Sequence, residues 1–485
     1  MPRMSRYQSS RYNFAVPLSG HALLFNAASG AIVRLNGADS ECLARYLCQP
    51  PGEIDTHAFD PGVWKQLRDG GFVVPVDTDE TESVRRRYWR ARVETPMVVT
   101  ITTTMECNLG CYYCYERRSK QALSGEQLPA LLAWVRERLL VSRKKSLHVD
   151  WYGGEPLLNP AFMAAASGAL QALCAELGVD YRASVISNGT CWPDDPVAFV
   201  RAHRIQQAQI SFDGLRANHD RRRHYRKAYR DAESTPSSFK QAVALVDRLV
   251  SAVRVDLRFN IDAKNAGDML PFLEFAQKRG WFSAPFPAVF QPARLASYSE
   301  RSGFMRRHEL PLAEYDALRA EARAWLSSVG NIEEAEIPTG YPSPKSSVCA
   351  ALAEDSVVVG GDGLAYRCGL QVGEAGRAVG AIARTEFSGI PIELESDGDA
   401  AWWKAFDPCD QPRCRQCSFL PICWGGCPKK HLEQDQHALR EQSDYWRRNL
   451  ARLIAAGANE ALSTPVTYAE ADQFRLPETD RSAEI

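Results

Sequence analysis

No run of the 485 residues approaches the roughly 18 apolar positions that a membrane helix requires. The opening "MPRMSRYQSSRYNF" also lacks the apolar centre of a secretory signal, which predicts a cytoplasmic protein with no membrane partner. A formal net charge of -1 offers no global attraction to nucleic acid, so none is expected as a partner. Histidine is scarce, with nine in the chain and none between His57 and His148. No internal repeat or low-complexity tract occurs, and no cysteine follows Cys427. A reducing compartment would exclude a disulfide framework for the fourteen cysteines, so their clustering points to metal or redox chemistry.

What is present organises into segments. At roughly 150 residues per domain the length predicts about three folding units. Residues 1–90 read as a small α+β module, with strands in "HALLFNAASG" and "AIVRLNG", helices near 38–48 and 63–69, and a charged connecting helix or linker after "GGFVVPV". Residues 91–336 alternate the apolar strands "MVVTITTT", "SLHVDWYGG", "RASVISNG", "AQISFDG", "VRVDLRFNI" and "AVFQPAR" with helical stretches. That order predicts an α/β fold, a partial (β/α)6 TIM-type barrel with its site residues at the C-terminal strand ends. Pro338, Pro342 and Pro344 mark a junction, beyond which 337–435 form a cysteine-rich extension and 436–485 a helical tail with a frayed "DRSAEI" end.

Directly after the first barrel strand, "TTTMECNLGCYYCYERR" places Cys107, Cys111 and Cys114 in eight residues. Three thiolates are one short of a closed structural site and leave an iron-sulfur cluster with one open iron. A zinc knuckle completed by a distant ligand, or three buried cysteines, is the competing reading. The second strand ends in "WYGGEP", where Gly153 and Gly154 allow close backbone approach and Glu155 supplies negative charge. "SNG" (Ser187, Asn188) and "SFDG" (Ser211, Asp213) close the third and fourth strands with small polar groups on the same face. The dense basic run "HDRRRHYRKAYR", His219 to Arg230, reads as a solvated loop.

The spacing Cys-x3-Cys-x2-Cys with Tyr113 before its last cysteine, followed in order by the strand-end motifs, resembles the radical S-adenosylmethionine (SAM) enzymes. The resemblance implies a 4Fe-4S cluster on Cys107, Cys111 and Cys114. It further implies SAM contacts from Tyr113, Gly153, Gly154, Glu155, Ser187, Asn188, Ser211 and Asp213, and a 5'-deoxyadenosyl radical that abstracts a substrate hydrogen.

Cys349-x13-Gly363-x4-Cys368, then Cys414-x2-Cys417-x5-Cys423-x3-Cys427, resembles the SPASM extension of enzymes that modify peptides and proteins. By that resemblance Cys349, Cys368 and Cys427 share one auxiliary 4Fe-4S cluster, and Cys414, Cys417 and Cys423 hold a second. The family's downstream seventh cysteine is missing; Cys409 is the expected substitute, with Asp435, Asp444 or His431 as alternatives. Cys42, Cys48, Cys174 and Cys191 read as ordinary thiols. The N-terminal module resembles, more weakly, peptide-recognition domains, where an edge strand could take a leader by strand addition. The expectation is a maturase of a ribosomally made precursor peptide or protein, served by a flavodoxin- or ferredoxin-like electron donor. A formylglycine-generating sulfatase maturase is the first alternative, weakened because Gly369, not an aspartate, follows Cys368. A non-enzymatic zinc-stabilised binding protein is the second.

Overall fold

The computed structural model describes residues 6–37, 39–49, 52–230, 237–297, 300–330, 341–382, 393–394, 397–462, 464 and 466–468. Pro338 and the "DRSAEI" end lie outside them. The chain divides into two compact units: Thr95–Glu333 with Cys349–Lys404, and Met1–Glu94 with Glu334–Val348 and Ala405–Ile485.

The first of these is built on a ten-stranded sheet. Its six expected strands, Met97–Thr102, Ser146–Tyr152, Asp180–Ser187, Ile205–Phe212, Arg254–Ile261 and Val289–Arg294, run parallel in chain order. Period-two alternation gives each strand an apolar and a polar side. Met97, Val99 and Ile101, then Leu147, Val149 and Trp151, then Leu257 and Phe259, are buried in one core with Leu131, Val135, Phe162 and Leu170 of the covering helices. The opposite parity carries Thr100, Asp150, Ser184, Gln207 and Asp256, which bond among themselves: Gln207 Nε2 donates to Asp256 Oδ2 at 2.6 Å and Ser184 to Asp150. One face is thus served by burial and the other largely by hydrogen bonds, although Thr102 Oγ1 on that polar parity is buried without a partner.

The sheet continues beyond the six expected strands. Val357–Val359 adds parallel to the first strand, and Leu364–Tyr366, Gly380–Ala381 and Glu393–Leu394 follow antiparallel. Strands of two or three residues leave too little alternation to be read from sequence.

In the second unit, the N-terminal part forms two three-stranded antiparallel sheets. One is the meander Asn13–Leu18, His21–Asn26 and Ile32–Asn36, with Ile32–Asn36 at its edge. Helices Ser40–Leu47, Pro61–Asp69 and Glu80–Glu94 complete it. These elements share a core with the C-terminal segment: Phe14 lies 4.7 Å from Phe419 and 5.3 Å from Tyr468, and Tyr88 meets Trp424 edge-on at 5.4 Å. Arg85 binds Asp407 and Asp410, and the Tyr88 hydroxyl donates to the Phe406 carbonyl at 2.8 Å. No described helix is long and apolar enough to cross a membrane.

Because Phe14 is fully buried between the two chain segments, Phe14→Ala should cost about 3–5 kcal/mol. Denaturant unfolding followed by tryptophan fluorescence would read this as a lower midpoint; an unchanged midpoint would contradict the shared core.

Candidate functional site

The site is assembled at the C-terminal ends of the parallel strands. Cys107, Cys111 and Cys114 lie in a loop without regular secondary structure, so other elements must fix its path. On one side it is fixed by backbone pairing: Gly154 N–H donates to the Thr104 carbonyl at 3.1 Å and Glu155 N–H to the Glu106 carbonyl at 2.9 Å. Only glycine permits this approach. A Cβ on Gly154 would stand 2.4 Å from the Glu106 oxygen, and one on Gly153, at φ +134°, 2.4 Å from the Thr104 oxygen.

The other side is held by the basic run, which is not the solvated loop expected. It forms a helix, Arg216–Arg222, followed by an extended stretch, and His219, Arg222 and Arg223 are buried. Gly110 N–H donates to the His224 carbonyl at 2.7 Å, Arg226 N–H to the Asn108 carbonyl at 2.9 Å, and Arg226 Nη1 to the Cys107 carbonyl at 2.9 Å. The arginines are buried because carboxylates at the strand ends neutralise them. Arg222 bonds Asp213 at 3.0 Å and Asp262 at 3.0 and 3.1 Å.

Those carboxylates also catch the two tyrosines interleaved with the cysteines. Tyr113 donates to Asp213 Oδ1 at 2.8 Å and accepts from Arg223 at 2.7 Å, while Tyr112 donates to Asp262. Asn260, beside Asp213 in the register of the fourth and fifth strands, donates to it at 3.3 Å. Ser211 shares the parity of Asp213 and is buried.

The expected residues of the third strand end gather at Cys107. Glu155, fully buried, accepts from Ser187 Oγ at 2.9 Å and from Asn188 N–H at 2.7 Å. Asn188 Nδ2 lies 3.8 Å from the Cys107 sulfur. Burial outweighs these donors and pushes the Glu155 carboxyl up to about 7. Burial also raises all three thiols, Cys114 to about 11. Arg118 gathers them: burial opposes its charge, yet the three sulfurs within its electrostatic reach hold it up, and it hydrogen-bonds Cys114.

Among the described residues no three Cys, His, Asp or Glu side chains converge tightly enough for a single metal ion. The donor set nevertheless suits a multi-iron cluster, whose thiolates bind separate irons. Buried Arg118 Nε and Arg223 Nε lack partners, leaving cationic donors beside the loop for an anionic ligand.

The second cysteine set divides between the units. In the barrel unit, buried Arg367 donates to the carbonyls of Ala351 at 2.9 Å, Ser356 at 2.9 Å and Ala353, so the residue before Cys368 ties down the turn that begins at Cys349. In the other unit, Cys414, Cys417 and Cys423 line a cavity of about 520 Å³ roofed by helix Gln436–Gly457. Cys409 and Cys427 are not among its lining residues.

Residues 101–276 match the profile of the Radical SAM superfamily. This segment is a radical SAM domain. That family uses a 4Fe-4S cluster and SAM. The sporulation killing factor maturation protein of Bacillus subtilis is 27% identical over 39% of this chain, a match spanning 41% of that relative's length. The serine-type anaerobic sulfatase-maturating enzyme of Klebsiella aerogenes is 24% identical over 66% of this chain and 77% of its own. Native anSMEcpe with bound AdoMet shares the fold, with a TM-score of 0.54 at 18% identity, over 75% of this chain and 100% of that one. The radical SAM α/β fold thus stands as read from the sequence.

Arg118, Tyr112, Arg222, Arg223, Asn260 and Asp262 are parts of this candidate site that sequence reading missed. The available signal was His219 with Arg222 and Arg223, at the i, i+3, i+4 spacing of one helix face.

Two outcomes test this geometry. Gly154→Ala should displace the cysteine loop and prevent a cluster from forming on it, read as about four fewer irons per chain after reconstitution. An unfolded Glu155 ionises near 4.5 but the folded one only near 7, so across that window the folded state keeps a proton the unfolded chain has lost. Stability therefore falls as pH rises, and Glu155→Gln should remove a loss on the order of 3 kcal/mol between pH 5 and 8 in urea unfolding of iron-free protein.

Proposed function

We propose that the protein is a radical SAM/SPASM maturase that modifies or crosslinks a residue in a precursor peptide or protein. The observation that carries this reading is the three-thiol loop gathered at Arg118 with the Glu155, Ser187 and Asn188 wall against Cys107. Two curated relatives are named for maturation of another polypeptide, which supports a peptide or protein substrate.

In this reading Cys107, Cys111 and Cys114 hold the 4Fe-4S cluster, and Gly153, Gly154, Glu155, Ser187, Asn188, Ser211 and Asp213 hold SAM. Bound there, the cluster and SAM would supply radical chemistry for hydrogen-atom abstraction from the substrate. Glu155 gives up its proton readily near neutrality and then offers a carboxylate to an ammonium group. Asp213 also accepts from Tyr113, which ties the cysteine loop to the end of the fourth strand. The polar inner parity of the strands suits a hydrogen-bonded substrate segment, and the edge strand Ile32–Asn36 suits a leader added as a further strand. Cys349, Cys368 and Cys427 would serve one auxiliary cluster, and Cys414, Cys417 and Cys423 another. A cytoplasmic setting and a flavodoxin- or ferredoxin-like donor complete the proposal.

A sulfatase maturase is the second reading, favoured by the Klebsiella relative. Against it, the residue after Cys368 is Gly369, where a Cβ would meet the Tyr152 ring at 3.9 Å and no carboxylate is present. A sulfatase peptide converted to formylglycine would decide for that reading.

Anaerobically reconstituted protein given dithionite and SAM should release 5'-deoxyadenosine, and the Cys107, Cys111, Cys114 triple alanine variant should fall to background. Iron-loaded wild-type protein that never cleaves SAM, even with candidate peptides present, would sink the proposal.

A further inference from the structure

Arg118 is the cation of the cysteine loop that no carboxylate claims. Arg222 and Arg223 are matched by Asp213 and Asp262, whereas among the described residues no carboxylate lies within ion-pair reach of Arg118. Glu116, the nearest acidic residue in the chain, hydrogen-bonds Tyr152 instead. The Arg118 guanidinium is turned to the loop itself. Its Nη2 donates to the Cys111 carbonyl at 2.9 Å, and it hydrogen-bonds Cys114, four residues earlier. Five N–H donors leave several over after these two bonds, and its buried Nε has no partner.

Burial works against a cation in this position, and Cys114, then Cys111 and Cys107, are what hold its charge in place. The dependence is mutual. A cluster on three thiolates is anionic, and reducing it adds one more negative charge. A fixed cation beside the sulfurs therefore stabilises the reduced state more than the oxidised one, and N–H donors to the sulfurs act in the same direction.

We propose that Arg118 tunes the cluster of the cysteine loop, keeping its reduction potential up by holding a guanidinium against Cys111 and Cys114. This rests on the assignment of that cluster to Cys107, Cys111 and Cys114 above. Arg118 acts through the sulfurs and is a positioning residue: it need touch neither SAM nor substrate. The loop thus carries its own counter-charge, four residues beyond its last thiol, while the other buried arginines of the site are spent on carboxylates.

The test titrates the reconstituted full chain against redox mediators under anaerobic conditions. EPR follows the reduced-cluster signal that changes on adding SAM, which separates this cluster from any other. In Arg118→Gln the reduced-to-oxidised ratio at the wild-type midpoint should fall about tenfold, a shift of about 59 mV for one electron. Arg118→Lys keeps the charge and should recover most of that shift, and Arg117→Gln, at an exposed neighbour, should show none. Iron lost from Arg118→Gln but kept in Arg118→Lys would also support the proposal, because the charge alone separates the two. An iron-loaded Arg118→Gln variant with the wild-type midpoint would overturn the inference alone, as would an equal shift in Arg117→Gln. Loss of iron from both Arg118 variants would overturn it too, by making the role structural. Iron-loaded wild-type protein with no SAM-responsive signal would overturn the cluster assignment, and this inference with it.

Discussion

Arg222 is buried between two buried carboxylates, Asp213 and Asp262, and the cysteine loop depends on that arrangement. Each charge would be costly alone, and removing one partner of such a network typically costs about 3–5 kcal/mol. With Arg223 the count balances at two guanidinium and two carboxylate groups, so the network needs no counter-ion. Its consequence is positional. Tyr112 and Tyr113 stand between Cys111 and Cys114, and their hydroxyls end on these same carboxylates, so strands four and five set where the thiols lie. The backbone bonds from Gly154, Glu155, His224 and Arg226 then clasp the loop's opposite edges. A segment without helix or strand acquires a defined path because every side of it is bound to a rigid element.

The basic run thus has a mainly internal task. Five consecutive residues, Arg222 to Arg226, touch the loop or the groups that hold it: two through carboxylates, His224 and Arg226 through backbone bonds, and Tyr225 through a bridge to Leu109. This accounts for a dense positive cluster in a chain of near-zero net charge without invoking an acidic partner. His219 follows the same logic from the apolar side. Between Phe212 and Phe239, at 5.6 and 5.5 Å, burial holds its pKa well below the ordinary histidine value, so the neutral ring packs as an aromatic.

The parallel strands were legible because each alternates over at least six residues and ends in a recognisable motif. Glu155, Ser187 and Asn188 were legible because short motifs at successive strand ends must meet at one end of a parallel sheet. The arginine network was hidden because charge runs are usually solvated, and only the unseen pairing with Asp213 and Asp262 reverses that default. The added strands at Val357–Val359 and Leu364–Tyr366 were hidden by their brevity; they depend on pairing with a sheet already present, not on local propensity. The shared core of the N-terminal sheets and the C-terminal segment joins positions some four hundred residues apart, and no local pattern records it.

That long-range core bears on how the molecule could work. The edge strand Ile32–Asn36 and the cavity of Cys414, Cys417 and Cys423 belong to one compact unit. Phe14 lies in the strand at the other side of the meander and packs on Phe419, between Cys417 and Cys423 in the chain. Arg85, on the helix following the N-terminal sheets, pairs with Asp407 and Asp410 on either side of Cys409. A strand added at the edge would therefore load a sheet whose opposite strand is packed directly onto the cysteine segment. Interiors at native density transmit such a displacement instead of absorbing it. The N-terminal sheets are thus a structural support of the cysteine-bearing cavity, and removing them would strip the packing from Phe419 and the ion pair from Asp407 together.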